Sequence, residues 1–319
     1  MHALRRAFPD AILGWLVETK SQEVVLNHPD LDHVHVWNRK QASRDFLNGR
    51  IGSAWSEVRR VIDEIHAVDY EVAIDFQNLL KSGFFAWQSG AGLRIGFSRL
   101  REANFLFTNL HIEVGPDARH MVRRYLKLLE PLNVSYSDHE PAIPIFVPPE
   151  KKSAVDSWFS TNVSSNRRVV ALNPASSLAR KRWPVERFAQ TADRLADQLN
   201  VASILIWGPG EEQLVESVSR QMRTSALIAP PTTLKELAHL FSRCDLYLGN
   251  DTGPLHLAAA MDCSALGLFG PSDPERVGPW TTRAIAVAPP QPFSKRRRME
   301  DITVDQVVAA ASQLLEDRP

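Results

Sequence analysis

Short apolar runs alternate along this 319-residue chain with stretches whose apolar residues recur at helical spacing. Apolar runs predict strands, and the spacing of Val58, Val61, Ile62 and Ile65 is typical of an amphipathic helix. The pattern in the first half predicts strands over 11–17, 33–37, 71–76 and 93–97, and helices over 2–8, 55–66, 79–88 and 119–132. Such alternation indicates βα units with right-handed crossovers and a parallel sheet.

The second half repeats this rhythm after a proline-rich segment. Pro141, Pro144, Pro148 and Pro149 punctuate that segment, which predicts an extended linker. Beyond it we predict strands over 168–172, 201–207, 246–249 and 264–269, and helices over 151–159, 183–199, 233–243, 254–261 and 304–315. Two α/β halves with a marked joint imply a ligand cleft between them.

The stretch 246–273 gathers its polar residues at one place, between a predicted strand and a predicted helix. The turn Asn250–Gly253 lies where ligands bind in open parallel sheets, and a helix beginning there offers free backbone N–H groups to a phosphate. Thr252 adds a hydroxyl, Gly253 allows close approach, and Asp251 and His256 can hold a sugar. The alternative is an ordinary helix capped by Asp251 or Thr252, with His256 as a satisfied helix residue.

Two further loops at predicted strand ends carry polar chemistry. The first holds hydroxyls and cations that suit a pyrophosphate: Ser176, Ser177, Arg180, Lys181 and Arg182. The second is the turn 208–212, where Glu211 or Glu212 could grip ribose hydroxyls. Each loop alone is a weak signal, but strand ends of one sheet converge. Together they favour a nucleotide diphosphate site.

Composition excludes several classes of function. Charged residues balance to a formal net charge of zero with a pI near 7.2, which argues against a broad nucleic-acid surface. Cys244 and Cys263 lie in apolar contexts without metal-ligand spacing and fit a reducing compartment. No apolar run reaches the roughly 18 residues of a transmembrane helix. The run 295–298 (KRRR) could touch an anionic membrane, although a solvated surface is the favoured interpretation.

The sequence NDTGPLHLAAAM followed by LFGPSDPERVGP resembles the signature of the glycosyltransferase family 9 heptosyltransferases. The segments KRWP, WGPGEE, IDFQNLLKSG and RHMVRRYLKLLEPL fall in that family's order. The resemblance implies a GT-B fold, an α/β architecture of two Rossmann-like domains facing across a cleft. It implies an acceptor-binding domain over 1–146, a nucleotide-sugar domain over 147–300, and a final helix over 301–319 that packs back toward the first domain.

The resemblance further implies inverting transfer of heptose from ADP-L-glycero-D-manno-heptose to the Kdo-lipid A inner core of lipopolysaccharide. The enzyme would be cytoplasmic, with peripheral contact at the inner membrane, no nucleic-acid partner, no cofactor and no metal. By position, the donor-binding residues are Ser176, Ser177, Lys181, Glu211, Glu212, Asp251, Thr252, Gly253 and His256. Lys81 and Arg123 would face the anionic acceptor.

The chain departs from the family pattern at its start. Family members open with a strand and a Ser-x-Gly-Asp loop whose Asp is the expected general base, and residues 1–10 contain no counterpart. We therefore expect the base to lie upstream of Met1, the first domain to lack its N-terminal strand and expose sheet edges, and turnover to be low. The alternatives are a GT-B enzyme using another nucleotide sugar and a non-catalytic sugar-nucleotide binding protein.

Overall fold

A computed structural model describes residues 1–98, 102–137, 145–294 and 296–317. The chain divides into two compact units, Met1–Asp138 and His139–Pro319. The predicted boundary at 146/147 lies a few residues further along the chain. Each unit contains parallel sheets with helices between successive strands, which confirms the predicted α/β class.

In the residues that the structure describes, the first unit has five short parallel strands in two sheets. The strands are β1 (Gly14–Glu18), β2 (His33–Trp37), β3 (Val72–Ile74), β4 (Leu93–Phe97) and β5 (Leu110–Ile112). The helices are α1 (His2–Ala7), α2 (Gln22–Val25), α3 (Arg39–Leu47), α4 (Ile51–His66), α5 (Leu80–Gln88) and α6 (Met121–Lys127). One sheet pairs β1 with β2, and the other has the order β3-β4-β5, so β1 and β3 each pair with one described strand.

Aromatic and branched side chains hold the first unit together. Val61, Ile62 and Ile65 of α4 are buried beside Phe85 of α5, as the helical spacing of the sequence predicts. Trp15 of β1 stacks on Phe76, which follows β3, with ring centroids 5.7 Å apart. This contact joins the two sheets through side chains.

The described part of the second unit forms one six-stranded parallel sheet covered by helices. Its strands are β6 (Val169–Asn173), β7 (Ala202–Leu205), β8 (Ala226–Ile228), β9 (Leu246–Asn250), β10 (Ser264–Leu268) and β11 (Ala284–Val287). Its helices are α7 (Pro149–Asn162), α8 (Val185–Leu199), α9 (Glu212–Gln221), α10 (Leu234–Ser242), α11 (Gly253–Ala260), α12 (Pro274–Val277) and α13 (Val304–Glu316). The strand order is β11-β10-β9-β6-β7-β8.

Both faces of this sheet are buried, which explains why its strands read as continuous apolar runs. Along β6, Val170 and Leu172 belong to the core on one face, whereas Val169 and Ala171 belong to the core on the other. Helices α8 and α13 cover the first face, and α7, α10 and α11 cover the second. This is a doubly wound arrangement.

Several predicted boundaries were wrong for local reasons. The predicted helix 119–132 ends at Lys127, and a 3₁₀ turn over Glu130–Leu132 with Pro131 near its start replaces the rest. Pro148 and Pro149 were assigned to the linker, but they are the N-cap and first residue of α7, a position that proline tolerates. Pro141 and Pro144 lie outside the described residues.

The final helix α13 packs on β9, β10, β11 and α8 within the second unit, burying Val307, Val308 and Ala311. Its predicted return toward the first domain stays a prediction. Among the described residues, no helix combines the length and apolar character needed to cross a bilayer.

Candidate active site

The candidate site lies in the second unit, at the point where the strand order of its sheet reverses. From β6 the chain proceeds through β7 to β8 on one side and then returns to place β9 on the other side of β6. Open α/β sheets form a ligand-binding crevice at such a reversal, outside the carboxyl ends of the strands. The three loops singled out in the sequence follow β6, β7 and β9, which are neighbours in the sheet. The prediction that these loops lie together at the carboxyl ends of neighbouring strands is therefore confirmed.

Asn250, the fully buried last residue of β9, fixes the loop that follows β6. Its Nδ2 donates to the carbonyl of Pro174 at 2.9 Å and to that of Ala175 at 3.3 Å. Its Oδ1 accepts from the backbone N–H of Trp183 at 3.0 Å. One side chain thus holds both ends of a loop that lies far away in the sequence.

Lys181 and Asp251 join the same two loops through an ion pair. The Lys181 Nζ donates to Asp251 Oδ2 at 2.5 Å, with side-chain exposures of 22% and 8% respectively. Lys181 ends a 3₁₀ turn over Ala179–Lys181, and Asp251 directly follows β9. Because an ammonium has three donors, Lys181 keeps hydrogen-bonding capacity for an anion while the carboxylate fixes its position.

The remaining polar residues of the first loop differ in burial. Ser176 is 4% exposed, and its hydroxyl accepts from the Leu178 N–H at 3.4 Å. The Arg182 Nε donates to the Ser176 carbonyl at 2.7 Å, so this guanidinium serves the loop itself. Ser177 and Arg180 are exposed. Ser177, Arg180 and the partly exposed Lys181 are therefore the residues named in this loop whose side chains are open to solvent and not bound to the loop's own backbone.

The N-terminus of α11 is open. Thr252 is the N-cap residue, but its side chain makes no capping hydrogen bond to the helix, and its hydroxyl donates back to the Asn250 carbonyl at 3.2 Å. A Cβ added at Gly253 would meet no heavy atom within 4 Å. His256 is exposed one turn further along α11. The structure thus disfavours the alternative of a helix capped by Thr252. Pro254 has no N–H and the Leu255 N–H donates to the Thr252 carbonyl at 3.2 Å, so the exposed Gly253 offers the backbone N–H best placed for an anion in this turn.

Tyr247 is a buried residue of β9 that packs against Gly249, close to the end of the strand. The sequence did not indicate this role. Tyr247 is fully buried, and burial raises the pKa of its phenol above the ordinary value, so the hydroxyl stays protonated. A Cβ at Gly249 would lie 2.4 Å from the Tyr247 Oη and 2.9 Å from the Asn173 carbonyl. Gly249 is therefore required by packing. No sequence motif marks Tyr247, which occupies an ordinary strand position.

In the turn after β7, the carboxylates of Glu211 and Glu212 have different surroundings. Gly210 adopts a φ of +83°, a left-handed conformation that suits glycine. The Glu211 Oε2 accepts from the Gly208 N–H at 2.8 Å, so this carboxylate folds over its own turn. Glu212 is the exposed first residue of α9. The sequence left both residues open as the ribose ligand, and both remain predictions.

Lys81 of the first unit donates to Glu18 Oε1 at 2.6 Å and lies 5.9 Å from the centroid of the Trp37 ring. Burial alone would raise the pKa of Glu18, but the hydrogen bond and charge of Lys81, with Lys20 and Arg39, lower it overall. Lys81 also lines a cavity of about 480 Å³ with Trp37, Trp55, Val58, Leu80, Phe84, Phe85, Glu102 and Phe107. The predicted acceptor lysine therefore borders an apolar, aromatic cavity.

Arg123 lies on α6, whose other cations are engaged within the unit. The Arg124 guanidinium lies 5.5 Å from the centroid of the Phe97 ring. The Lys127 Nζ lies 2.9 Å from Glu130 Oε1 and 3.6 Å from Asp117 Oδ2. The role of Arg123 toward an acceptor stays a prediction.

The basic run 295–298 is also partly engaged. Lys295 lies outside the described residues. The Arg297 guanidinium donates to the carbonyls of Gln291 and Pro292, and Arg298 pairs with Asp301 at 2.9 Å. In the parts of the chain that the structure describes, no group of three or more His, Cys, Asp or Glu side chains is arranged to hold a metal ion.

A family model described as glycosyltransferase family 9 (heptosyltransferase) matches residues 58–305, most of the chain. The protein belongs to this family. It is a glycosyltransferase, as the sequence predicted, and the family match spans both units.

Relatives of this family 9 glycosyltransferase agree with that assignment. The lipopolysaccharide core heptosyltransferase OpsX of Haemophilus influenzae is 26% identical over 282 residues, which cover 87% of this chain and 75% of the relative. A crystal structure of a family 9 glycosyltransferase from Veillonella parvula superposes with a TM-score of 0.83 at 24% identity, covering 99% and 91% of the two chains. The E. coli heptosyltransferase WaaC, solved with ADP, gives 0.78 at 20% identity, covering 98% and 93%. These likenesses confirm the GT-B fold class.

Proposed function

We propose that this family 9 glycosyltransferase transfers heptose from ADP-L-glycero-D-manno-heptose to the Kdo-lipid A inner core of lipopolysaccharide, at the cytoplasmic face of the inner membrane. The proposal is supported by family membership and by relatives named as lipopolysaccharide core heptosyltransferases. A related structure solved with ADP supports an adenosine diphosphate donor.

The ion pair between Lys181 and Asp251 is the observation that carries the donor site. It places a partly exposed cation at the reversal point of the sheet, beside the open N-terminus of α11. We infer that the donor diphosphate accepts from the free Lys181 N–H groups and from the backbone N–H of Gly253. A cation and helix N–H groups fixed before the reaction stabilise charge as it develops on the departing ADP, which lowers the barrier.

The other predicted residues take positions around that diphosphate. The exposed Ser177 hydroxyl would add a donor, while the buried Ser176 shapes the loop through its own backbone contacts. Glu211 or Glu212, at the end of the neighbouring strand, would bind ribose hydroxyls. Asp251, Thr252 and His256 would line the phosphate and the donor sugar. We expect the chemistry to proceed without a metal ion, and loss of turnover on addition of EDTA would refute that.

The acceptor is proposed to bind the first unit. Lys81 would meet an anionic group of the acceptor, and Arg123 would add a second cation from α6. The predicted position of the general-base Asp upstream of Met1 also stays a prediction. Comparing turnover by this chain with that of an N-terminally extended protein tests it, and equal rates would refute it.

The direct test is mass-spectrometric detection of product from ADP-heptose and Kdo-lipid A, with NMR assignment of the new anomeric linkage. We expect one heptose to be added with inversion, and no transfer from UDP-N-acetylglucosamine. Product from the UDP-sugar, or retention of configuration, would contradict the proposal. Donor binding without product, also in the extended protein, would identify a non-catalytic sugar-nucleotide binding protein instead.

A further inference from the structure

The end of α3 and the start of α4 expose a run of large apolar side chains. Phe46 is 63% exposed, Leu47 83%, Ile51 63% and Trp55 54%. All four lie within ten residues of one another, in a helix–turn–helix segment over 39–55 that we name the α3–α4 tip. Soluble proteins seldom expose apolar side chains in such a cluster, and a cluster of this kind marks an interaction site.

Cations are interleaved with these apolar residues. Residues 39–55 contain Arg39, Lys40, Arg44 and Arg50 against a single carboxylate, Asp45. Arg50 pairs with Asp45 at 2.8 Å, and Arg39 pairs with Glu18 at 3.0 Å. Lys40 and Arg44 form no salt bridge with any residue that the structure describes, and they line a surface cavity of about 430 Å³ beside Leu47. The tip therefore combines exposed apolar groups with unneutralised positive charge.

Internal hydrogen bonds hold the tip in shape. The Asn38 side chain caps α3 by accepting from the Gln41 N–H at 3.2 Å. The buried Asp45 accepts from Gln41 Nε2 and from Ser53 Oγ, and the Arg50 N–H donates to its carbonyl at 2.8 Å. The apolar side chains are thus presented by fixed helices, and exposing them is a property of the fold.

We propose that the α3–α4 tip docks on an anionic phospholipid bilayer. Phe46, Leu47, Ile51 and Trp55 would enter the boundary between headgroups and acyl chains, while Lys40 and Arg44 meet lipid phosphates. We favour a bilayer over a protein partner because the tip has four cations against one carboxylate, and anionic lipid headgroups supply the complementary charge. The run 296–298 is a weaker membrane site, since Arg297 and Arg298 bind groups in their own loop.

The tip is continuous with the apolar cavity beside Lys81, because Trp55 belongs to both. Docking at the tip would therefore bring that cavity to the lipid surface. The inference goes beyond the proposed function and does not depend on which sugar is transferred.

Flotation of the full chain with lipid vesicles tests the proposal. We expect binding to phosphatidylcholine vesicles that contain phosphatidylglycerol, loss of binding in high salt, and little binding to phosphatidylcholine alone. The double variant Lys40→Glu, Arg44→Glu should lower the partition coefficient by at least about fivefold per cation. The double variant Leu47→Ser, Ile51→Ser should lower it by roughly tenfold or more at the low salt concentration where the parent binds.

Two substitutions outside the tip serve as matched controls. Ile12→Ser changes an apolar residue that is 57% exposed just before β1, and Lys152→Glu changes an exposed cation on α7. Both should bind vesicles like the parent. All variants should keep the parent's circular dichroism spectrum and thermal unfolding curve, which report on the folding of both units. Failure of the parent to bind ADP would count against the donor site alone. Vesicle binding that survives both tip variants would overturn the proposal. So would absent binding to anionic vesicles, or a dimer in light scattering that the tip variants dissolve.

Discussion

Lys181 and Asp251 form an ion pair of 2.5 Å across a separation of 70 residues in the sequence. The pair bridges the loops after β6 and β9, the two strands between which the order of the sheet reverses. Asn250, next to Asp251, ties the same loops through the backbone of Pro174 and Trp183. The loops of the proposed donor site are therefore held together by contacts within the protein, and these contacts respond differently to substitution.

Gly253→Ala should separate ligand binding from folding. Its new methyl group meets no atom of the protein within 4 Å, so the free energy of unfolding should change by less than about 1 kcal/mol. The methyl group would stand in the way of a phosphate at the N-terminus of α11, and ADP should bind about tenfold or more weakly. Calorimetry with ADP and a denaturation curve check both. Gly52→Ala, equally uncrowded on α4, is the control and should leave ADP binding unchanged.

Binding of ADP and of pyrophosphate can show whether Glu211 or Glu212 binds the ribose. Glu211→Gln and Glu212→Gln are each titrated with ADP and with pyrophosphate, which lacks a ribose. Substituting the residue that binds the ribose should weaken ADP binding by roughly tenfold, because a charged hydrogen bond is lost. The same substitution should leave pyrophosphate binding unchanged. If neither substitution distinguishes the two ligands, the turn 208–212 does not bind the ribose.

Asn250→Ala should destabilise the second unit. The substitution removes three hydrogen bonds and leaves buried backbone groups of Pro174, Ala175 and Trp183 without that partner. A loss of roughly 2–4 kcal/mol in the free energy of unfolding is expected. Urea denaturation measures it. Asn166→Ala, in an exposed turn, is the matched control and should change stability by less than about 0.5 kcal/mol.

His35 should make the first unit less stable in mild acid. Burial lowers the pKa of this imidazole by more than the negative charge of Glu64 raises it, and the charge of His33 adds to the lowering. The His35 Nε2 lies 2.9 Å from the Tyr70 Oη. The unfolded chain then binds more protons, so stability is full above about pH 6.5 and falls as the pH drops through the folded pKa. The parent should lose more stability between neutral and mildly acidic pH than His35→Gln. His66→Gln, an exposed histidine, should follow the parent, and parallel curves for all three would refute this account.

Sequence patterns located the elements with long or strongly periodic signals. The strand 33–37 and the helix ending at His66 lie where the apolar pattern placed them. The strands β5, β8 and β11 were missed, because they have only three or four residues and are half exposed, which leaves no continuous apolar run. Helix α3 was missed as well, since its polar composition hides a structure stabilised by Asn38 and by packing on α4.

The three site loops were predictable because each follows an apolar strand, but their mutual contacts were not. Lys181 and Asp251 were both assigned to the donor without the ion pair that joins them, since that contact depends on the strand order. Tyr247 and Gly249 gave no signal, because their roles arise from a close approach between neighbouring strands.

The most direct test of the donor site is a calorimetric titration of ADP into the parent, Lys181→Met and the exposed control Lys152→Met. Removing a charge-assisted contact to phosphate should weaken ADP binding by roughly 10- to 100-fold in Lys181→Met, whereas Lys152→Met should match the parent. Equal affinity in all three proteins would contradict the assignment of the diphosphate to the edge formed by β6, β9 and α11.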